Sequence, residues 1–268
     1  MIKNFLAFLS GGVGFPKRGL KFIERWVFFL GLQDERFLRH IDSGLKLRLS
    51  FRDHIEKYLL WYGEYESTEL NGLIRVMNEF ETFIDVGANI GYHSLMIAKK
   101  FPRTVVYSIE PAIRNYEKLV QHIRLNEAFN VKTSQIAFSD KAGIGDLYIA
   151  EADNSGMSGL SKPDNFSGIC EQIKITSFDN WAREMGIGKI DTIKVDVEGA
   201  ELAVLRGMLN TIQLYKPILA LEIVSENLRR FDQVPGQIYD FLSAHAYVPY
   251  RPVDDHAWEL VDFGSEGD

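Results

Sequence analysis

Residues 83–95, Phe83-Ile84-Asp85-Val86-Gly87-Ala88-Asn89-Ile90-Gly91-Tyr92-His93-Ser94-Leu95, constrain the fold more than any other part of the sequence. An apolar strand ends in an acid, a tight glycine turn follows, and a helix opens directly after it. Backbone N–H groups at a helix N-terminus then face a ligand where glycine leaves no Cβ in the way. Such a unit marks a nucleotide-type pocket at the carboxyl edge of a parallel sheet. A dinucleotide fingerprint starting at Gly87 requires glycine where Asn89 and Tyr92 stand, which demotes a nicotinamide cofactor. An acid at Asp85 repels a pyrophosphate and suits an ammonium or sulfonium group, which favours S-adenosylmethionine. The second strand ends in Glu110-Pro111, 25 residues after Asp85, where a carboxylate can accept both hydroxyls of a ribose. The competing readings are a helix cap for Asp85 and a solvated strand-end acid for Glu110, each common for a single carboxylate.

From Thr82 onward apolar strands alternate with amphipathic helices, the pattern of parallel strands joined by crossover helices. Strands are expected over 82–86, 105–109, 131–138, 190–197 and 218–224, and helices over 92–101, 113–127, 200–209 and 236–245. Nearly continuous apolar runs such as Val105-Val106-Tyr107-Ser108-Ile109 predict a sheet covered on both faces. Residues 145–149 and 172–176 read as an antiparallel pair joined by a polar loop over 152–170, expected to be mobile. Residues 1–60 read as a mostly helical cap or extension, and 61–268 as the catalytic domain. Helical apolar spacing occurs at Phe22, Ile23, Trp26, Val27 and Leu30, and again at Leu70, Leu73, Ile74 and Met77, while Leu45 to Leu49 alternates like a strand. Packing on the main domain is the expected use of the first apolar face. Weak docking on a membrane surface competes with it.

Thirty Lys and Arg against 37 Asp and Glu leave a formal charge of −7, the wrong sign for broad contact with nucleic acid. Cys170 is the only cysteine, which excludes an intrachain disulfide and fits a reducing, cytoplasmic location. The longest early apolar run, residues 26–32, is far short of the roughly 20 residues that span a bilayer, and no signal peptide is read.

A second constellation is Lys194-Val195-Asp196-Val197-Glu198-Gly199-Ala200-Glu201. In an extended strand Lys194, Asp196 and Glu198 share one side, and three charges on a buried strand belong where it leaves the sheet beside the crevice. There they orient the cofactor's amino group, hold an acceptor hydroxyl, or pair with one another. Ion pairs of Lys194 with Glu198 and of Glu201 with Arg206 are the structural alternative, preferred for Glu201. Asp196 and Glu198 are two acids two residues apart, too few to define a metal site, so no metal is expected. Asp254-Asp255-His256 reads as a solvated turn.

With these segments the sequence resembles the FkbM-type class I S-adenosylmethionine-dependent methyltransferases. The likeness rests on residues 83–95, Glu110-Pro111, Lys194 to Glu201 and Leu219-Ala220-Leu221-Glu222-Ile223, with Gly63-Glu64-Tyr65-Glu66 resembling the family's lead-in, and covers about 61–253. It implies a Rossmann-like α/β fold with a seven-stranded sheet, the last strand antiparallel, and methyl transfer to a hydroxyl of a sugar, glycan or polyketide-like acceptor. Carried over position by position, Asp85, Gly87, Ala88, Asn89 and Gly91 surround the methionine end of the cofactor, Glu110 its ribose, and Asn126 with Ala137 and Phe138 the adenine side. Asp196 contributes to the same site.

Loss of the acceptor's proton calls for a base, with Glu222, Asp196 and Glu198 as candidates. Glu222 closes an apolar strand, where partial burial raises its pKa; pairing with Arg229 or Arg230 is its structural alternative. His93 is assigned to packing or cofactor contact rather than catalysis. Tyr65 and Glu66 are expected to line the acceptor pocket, whereas Tyr62 is expected in the core. Two other classes compete: a nicotinamide-dependent oxidoreductase and a non-catalytic module that binds S-adenosylmethionine.

Overall fold

The computed structural model describes residues 20–32, 36–41, 43–150, 158–162, 166–253 and 257–261. Asp254-Asp255-His256 and much of the polar insertion lie outside the described residues.

Helix α1 (Leu20–Phe29) is followed by a hairpin of β1 (Phe37–His40) and β2 (Lys46–Leu49), then by helices α2 (His54–Tyr62) and α3 (Ser67–Val76). The alternation at Leu45, Leu47 and Leu49 turns all three leucines inward, and each is almost fully buried. Full burial of a leucine is worth roughly 1.5–3 kcal/mol, so these three side chains are a main contribution to holding the hairpin on the body. Helix α2 starts on Asp53, whose Oδ1 accepts N–H bonds from Ile55 and Glu56, and stops at Gly63 in the left-handed conformation with φ 74°. A division of the chain at residue 60 would cut this helix. Val27, Leu47, Leu59 and Trp61 share one core with Phe83, Leu95 and Val106.

The central unit follows: β3 (Thr82–Val86), α4 (Tyr92–Lys100), β4 (Val105–Ile109), α5 (Ile113–Leu125) and β5 (Val131–Ser134). The chain then leaves the sheet through β6 (Ala137–Phe138), β7 (Gly143–Ala150), β8 (Ser158–Gly159), β9 (Gly168–Thr176) and α6 (Phe178–Glu184). It returns as β10 (Thr192–Val195), α7 (Glu201–Gly207), α8 (Leu209–Tyr215) and β11 (Ile218–Leu221), and ends in α9 (Ser225–Arg229), α10 (Pro235–Ala244) and a hairpin of β12 (Tyr250–Pro252) and β13 (Trp258–Leu260).

The order β11-β10-β3-β4-β5, with every pair parallel, is the Rossmann-like arrangement with its topological switch point beside β3. Alternation along the strands covers both faces. Phe83 and Val106 enter the core shared with the N-terminal hairpin, while Ile84, Val86, Tyr107, Ile109, Ile193 and Val195 enter a second core with residues of α6 and α7.

The expected seven-stranded sheet is corrected on two counts. The run over 131–138 divides: β5 stays in the parallel sheet, whereas Ala137 and Phe138 pair with Ile175 and Thr176 of β9 in a separate four-stranded sheet. Among the described residues no antiparallel strand extends the parallel sheet, because β12 pairs with β13 instead. Among the described residues of the N-terminal region, the hairpin of β1 and β2 stands between helices α1 and α2. Among the described residues no helix is long and apolar enough to cross a membrane.

Candidate active site

The glycine turn is shaped by two close approaches of different kinds. Gly87 has φ 86°, and a Cβ there would sit 1.7 Å from the carbonyl oxygen of Asp196 on the neighbouring strand. Gly91 has φ 87°, and its Cβ would meet Leu119 Cδ1 of α5 at 2.4 Å. Gly87 therefore lets two strand ends converge, and Gly91 lets α5 pack under the start of α4. Between them Asn89 adopts φ 50°, its N–H donating to Glu110 Oε2 at 2.8 Å. Glu110 Oε1 accepts from Ala112 N at 2.9 Å. Burial pushes the Glu110 carboxyl up to about 7, with the two N–H bonds opposing the shift and Asp196 and Asp85 adding to it.

A cleft opens over this turn, with about 1180 Å³ of empty space including its mouth. Gly87, Ala88, Asn89 and Glu110 line it, as do Ala137 and Phe138, together with the ionisable cluster of Tyr65, Glu66, Asp196, Glu198 and Glu222. Gly159 and Leu160, from the described part of the polar insertion, complete the lining.

Three of the residues expected at the cofactor stand away from the cleft lining. Asp85 is fully buried and does not line the cleft, because strand alternation turns it onto the face packed by α4. There Ser94 Oγ donates to Asp85 Oδ2 at 2.6 Å and Ser108 Oγ donates to Ser94 Oγ at 2.7 Å. Gly91 also lies off the wall, serving the packing of α5. Asn126 sits at the far end of α5, where its amide exchanges two 2.8 Å hydrogen bonds with the backbone of Lys46. One turn earlier, His122 accepts from Arg48 N at 3.0 Å, which leaves its proton on Nδ1 to donate to Ile90 O at 2.8 Å. Asn126 thus ties β2 to the end of α5, and His122 ties β2 to the glycine turn.

The ionisable cluster is assembled by strand register. Lys194 stands opposite Asp85 across β10 and β3, and Val195 opposite Leu221 across β10 and β11. The next residues, Asp196 and Glu222, are therefore neighbours at the sheet's carboxyl edge. Lys194 Nζ pairs with Asp196 Oδ2 at 2.8 Å. Burial opposes the charge of Lys194, but Asp196, Asp85 and Glu66 outweigh it and hold its pKa above the usual range. Burial likewise opposes ionisation of Asp196, yet Lys194 and a hydrogen bond from Glu222 hold its carboxyl below the usual range. Glu222 is exposed at the mouth of the cleft, yet partial desolvation and the Asp196 carboxylate beside it push its carboxyl up to about 8. The two carboxyls form a pair in which Asp196 is ionised and Glu222 carries the proton. Neither Arg229 nor Arg230 is needed to explain Glu222.

Glu198 departs from the expected row of charges. The strand stops at Val195, Glu198 takes φ 55°, and its carboxylate accepts from Asn227 Nδ2. Burial, with the charges of Asp196 and Glu201, raises it to about 7. Glu201 accepts from Gly199 N at 3.0 Å at the start of its own helix, in place of the expected ion pair with Arg206. Tyr62 is half-exposed and packs on Tyr58 with ring centroids 4.4 Å apart, not in the core.

Lys194 and His93 carry more of the site than their sequence context suggested. His93 is buried in the cleft wall with its Nε2 unpartnered, 3.5 Å from Glu66 Oε2. Burial and the Lys194 charge drive its pKa down to about 3, so the ring is neutral. The signal for Lys194 was a lysine inside an apolar strand, an expensive placement without a partner.

A family model described as the Methyltransferase FkbM domain matches residues 85–249. Methyltransferase sdnD of Sordaria araneosa is 30% identical over 47% of this chain and 59% of its own length. Hexuronic acid methyltransferase AglP of Haloferax volcanii is 27% identical over 53% of this chain and 55% of its own. The chain thus spans little more than half the length of these curated relatives. A solved precorrin-6y C5,15-methyltransferase from Geobacter metallireducens superposes with a TM-score of 0.44 at 9% identity, covering 69% of this chain and 74% of that one.

Proposed function

The chain belongs to the FkbM methyltransferase family, and from that membership we propose that it transfers a methyl group from S-adenosylmethionine to a hydroxyl of a small sugar-like or polyketide-like acceptor. The supporting observation is that one cleft joins two chemically different ends, a glycine turn with a buried ribose-type acid and a carboxyl pair sharing a proton. The residues present suit the cofactor. Asn89 Oδ1 is a buried acceptor without a hydrogen-bond partner at the turn, and Glu110 keeps lone pairs free beyond its two backbone bonds. When bound, S-adenosylmethionine supplies an electrophilic sulfonium methyl group.

The chain's own residues then have separable tasks. Glu110 receives two ribose hydroxyls, and Asn89 and Ala88 contact the amino-acid end. Asp85 acts from behind the wall by holding Ser94 and adding to the charge balance of Lys194. The acceptor hydroxyl lies against Asp196 and Glu222, with Tyr65 and Glu66 closing over it. The base is the form of the pair in which Glu222 has also lost its proton: as the oxygen acquires its methyl group its proton passes to the Glu222 carboxylate, whose pKa near 8 matches a working general base. Lys194 keeps the doubly ionised pair from being prohibitively costly. The name of AglP, a hexuronic acid methyltransferase, supports a sugar among the acceptors to be tried first.

Titration calorimetry with S-adenosylhomocysteine tests the cofactor half, and absence of heat at saturating ligand refutes it. Stabilisation by NADH instead would return the protein to the oxidoreductases. A screen of hexuronic acids, other sugars and hydroxylated polyketides for methyl incorporation tests the acceptor half. Product methylated at nitrogen or carbon refutes the oxygen assignment.

A further inference from the structure

Helix α1 contributes Val27 to the core, yet leaves a large apolar face in solvent. Trp26 is 48% exposed, Phe28 53%, Phe29 79% and Leu30 47%, and Leu38 on the adjoining hairpin is 42% exposed. Trp26 and Phe29 lie one helical turn apart in edge contact, with ring centroids at 5.8 Å. Contiguous aromatic exposure of this kind marks a docking surface rather than ordinary scatter. Charge identifies the partner. Residues 1–32 hold five Lys and Arg against one acid, a net of +4, while residues 33–268 hold 25 against 36, a net of −11. Arg25 is exposed beside Trp26, and Lys21 stands one turn earlier in the sequence of the same helix. A short cationic, aromatic helix on an otherwise acidic protein is matched by an anionic surface with an apolar interior.

We propose that α1 docks the protein on anionic phospholipid bilayers, with Trp26, Phe28, Phe29 and Leu30 entering the headgroup boundary and Arg25 meeting the lipid phosphates. The acidic remainder repels the same surface and so orients the molecule with α1 toward it. This inference is independent of the methyl-transfer reading.

Cosedimentation of the full chain with vesicles tests it, comparing phosphatidylcholine alone with phosphatidylcholine containing phosphatidylglycerol. Binding is expected to the anionic vesicles and to fall as salt is raised. Trp26→Ser with Phe29→Ser abolishes it, and Arg25→Glu weakens it at least about fivefold, the effect of one surface cation at an anionic leaflet. Phe129→Ser, which alters a 91% exposed aromatic elsewhere, leaves binding unchanged. Circular dichroism melts confirm that each variant is folded, and Arg25→Glu carries the test if the double variant is not. Equal binding to both vesicle types, no binding to either, or retention by folded variants overturns the proposal. A wild-type dimer that becomes a monomer in the double variant also overturns it, assigning the face to a second copy.

Discussion

Replacing Glu110 by glutamine separates the pH dependence of the fold's stability from the affinity of the cleft. In the ligand-free protein the buried carboxyl is raised to about 7 from an ordinary 4.5, a shift worth roughly 3 kcal/mol at 1.36 kcal/mol per unit. A raised acid stabilises the native state below the unfolded pKa and loses that contribution as pH rises through the folded one. Wild type therefore weakens between about pH 4.5 and 7, and Glu110→Gln, which cannot ionise, does not. Denaturant unfolding should find that wild type loses up to about 3 kcal/mol between pH 5 and pH 8 relative to the variant, on top of a pH-independent deficit of roughly 1–3 kcal/mol in the variant for the N–H group that faces its amide nitrogen. For S-adenosylhomocysteine, the carboxylate is placed to accept two hydroxyls, whereas glutamine offers one uncharged oxygen beside the Asn89 and Ala112 N–H groups. Loss of one charge-assisted hydrogen bond, at roughly 1.5–3 kcal/mol, and weakening of the other predict an affinity about 30- to 1,000-fold lower by calorimetry at pH 8. A variant binding within about threefold of wild type would remove Glu110 from the cofactor site. One whose stability followed the wild-type pH curve would show that the burial of its charge had been misjudged.

Gly87→Ala places a methyl group against Asp196 O and holds alanine at φ 86°, so a loss of about 2–6 kcal/mol is expected, read as a melting temperature lower by at least ~5 °C. Lys118 is paired with Glu56 where both are almost fully buried, and Glu56 also receives Ser50 N at 2.7 Å. Lys118→Met strands that carboxylate and should cost about 3–5 kcal/mol in denaturant unfolding, while Lys118→Met with Glu56→Gln recovers part of the loss. Carboxyl carbon NMR should follow Glu222 titrating near pH 8, and Asp196→Asn should lower that midpoint by removing the neighbouring charge. A Glu222 midpoint in the ordinary range would leave the carboxyl pair without its proposed role as base.

Local chemistry was legible in the sequence wherever it depends on neighbours along the chain. The strand over 82–86 and the helix opening at Tyr92 follow from an apolar run meeting glycines, and Glu110 follows from its place at the end of the next strand. The side to which Asp85 turns was not legible, since a strand-end acid can face the crevice or the packed layer and only alternation relative to the helices decides. Asn126 was misplaced because its partner, Lys46, is 80 residues away in a hairpin that no pattern linked to α5. Likewise Lys118 and Glu56 are 62 residues apart, and neither position advertises the other.

Register explains why the ionisable cluster was read as a row of charges and found as a pair. Sequence alternation puts Lys194, Asp196 and Glu198 on one side of a strand, which suggests three equivalent groups. Pairing of Val195 with both Val86 and Leu221 fixes what stands beside each of them. Asp85 falls next to Lys194, the carbonyl of Asp196 falls against Gly87, and Glu222 falls next to Asp196, while the strand's end at Val195 releases Glu198 toward Asn227. A slip of one residue in β11 would set Leu221 or Ile223 beside Asp196 and leave its carboxylate with Lys194 alone. The proton held near pH 8 is thus a property of strand pairing as much as of residue type. Substitutions that alter the β10–β11 register should change the titration of Glu222 even where every cleft residue is kept.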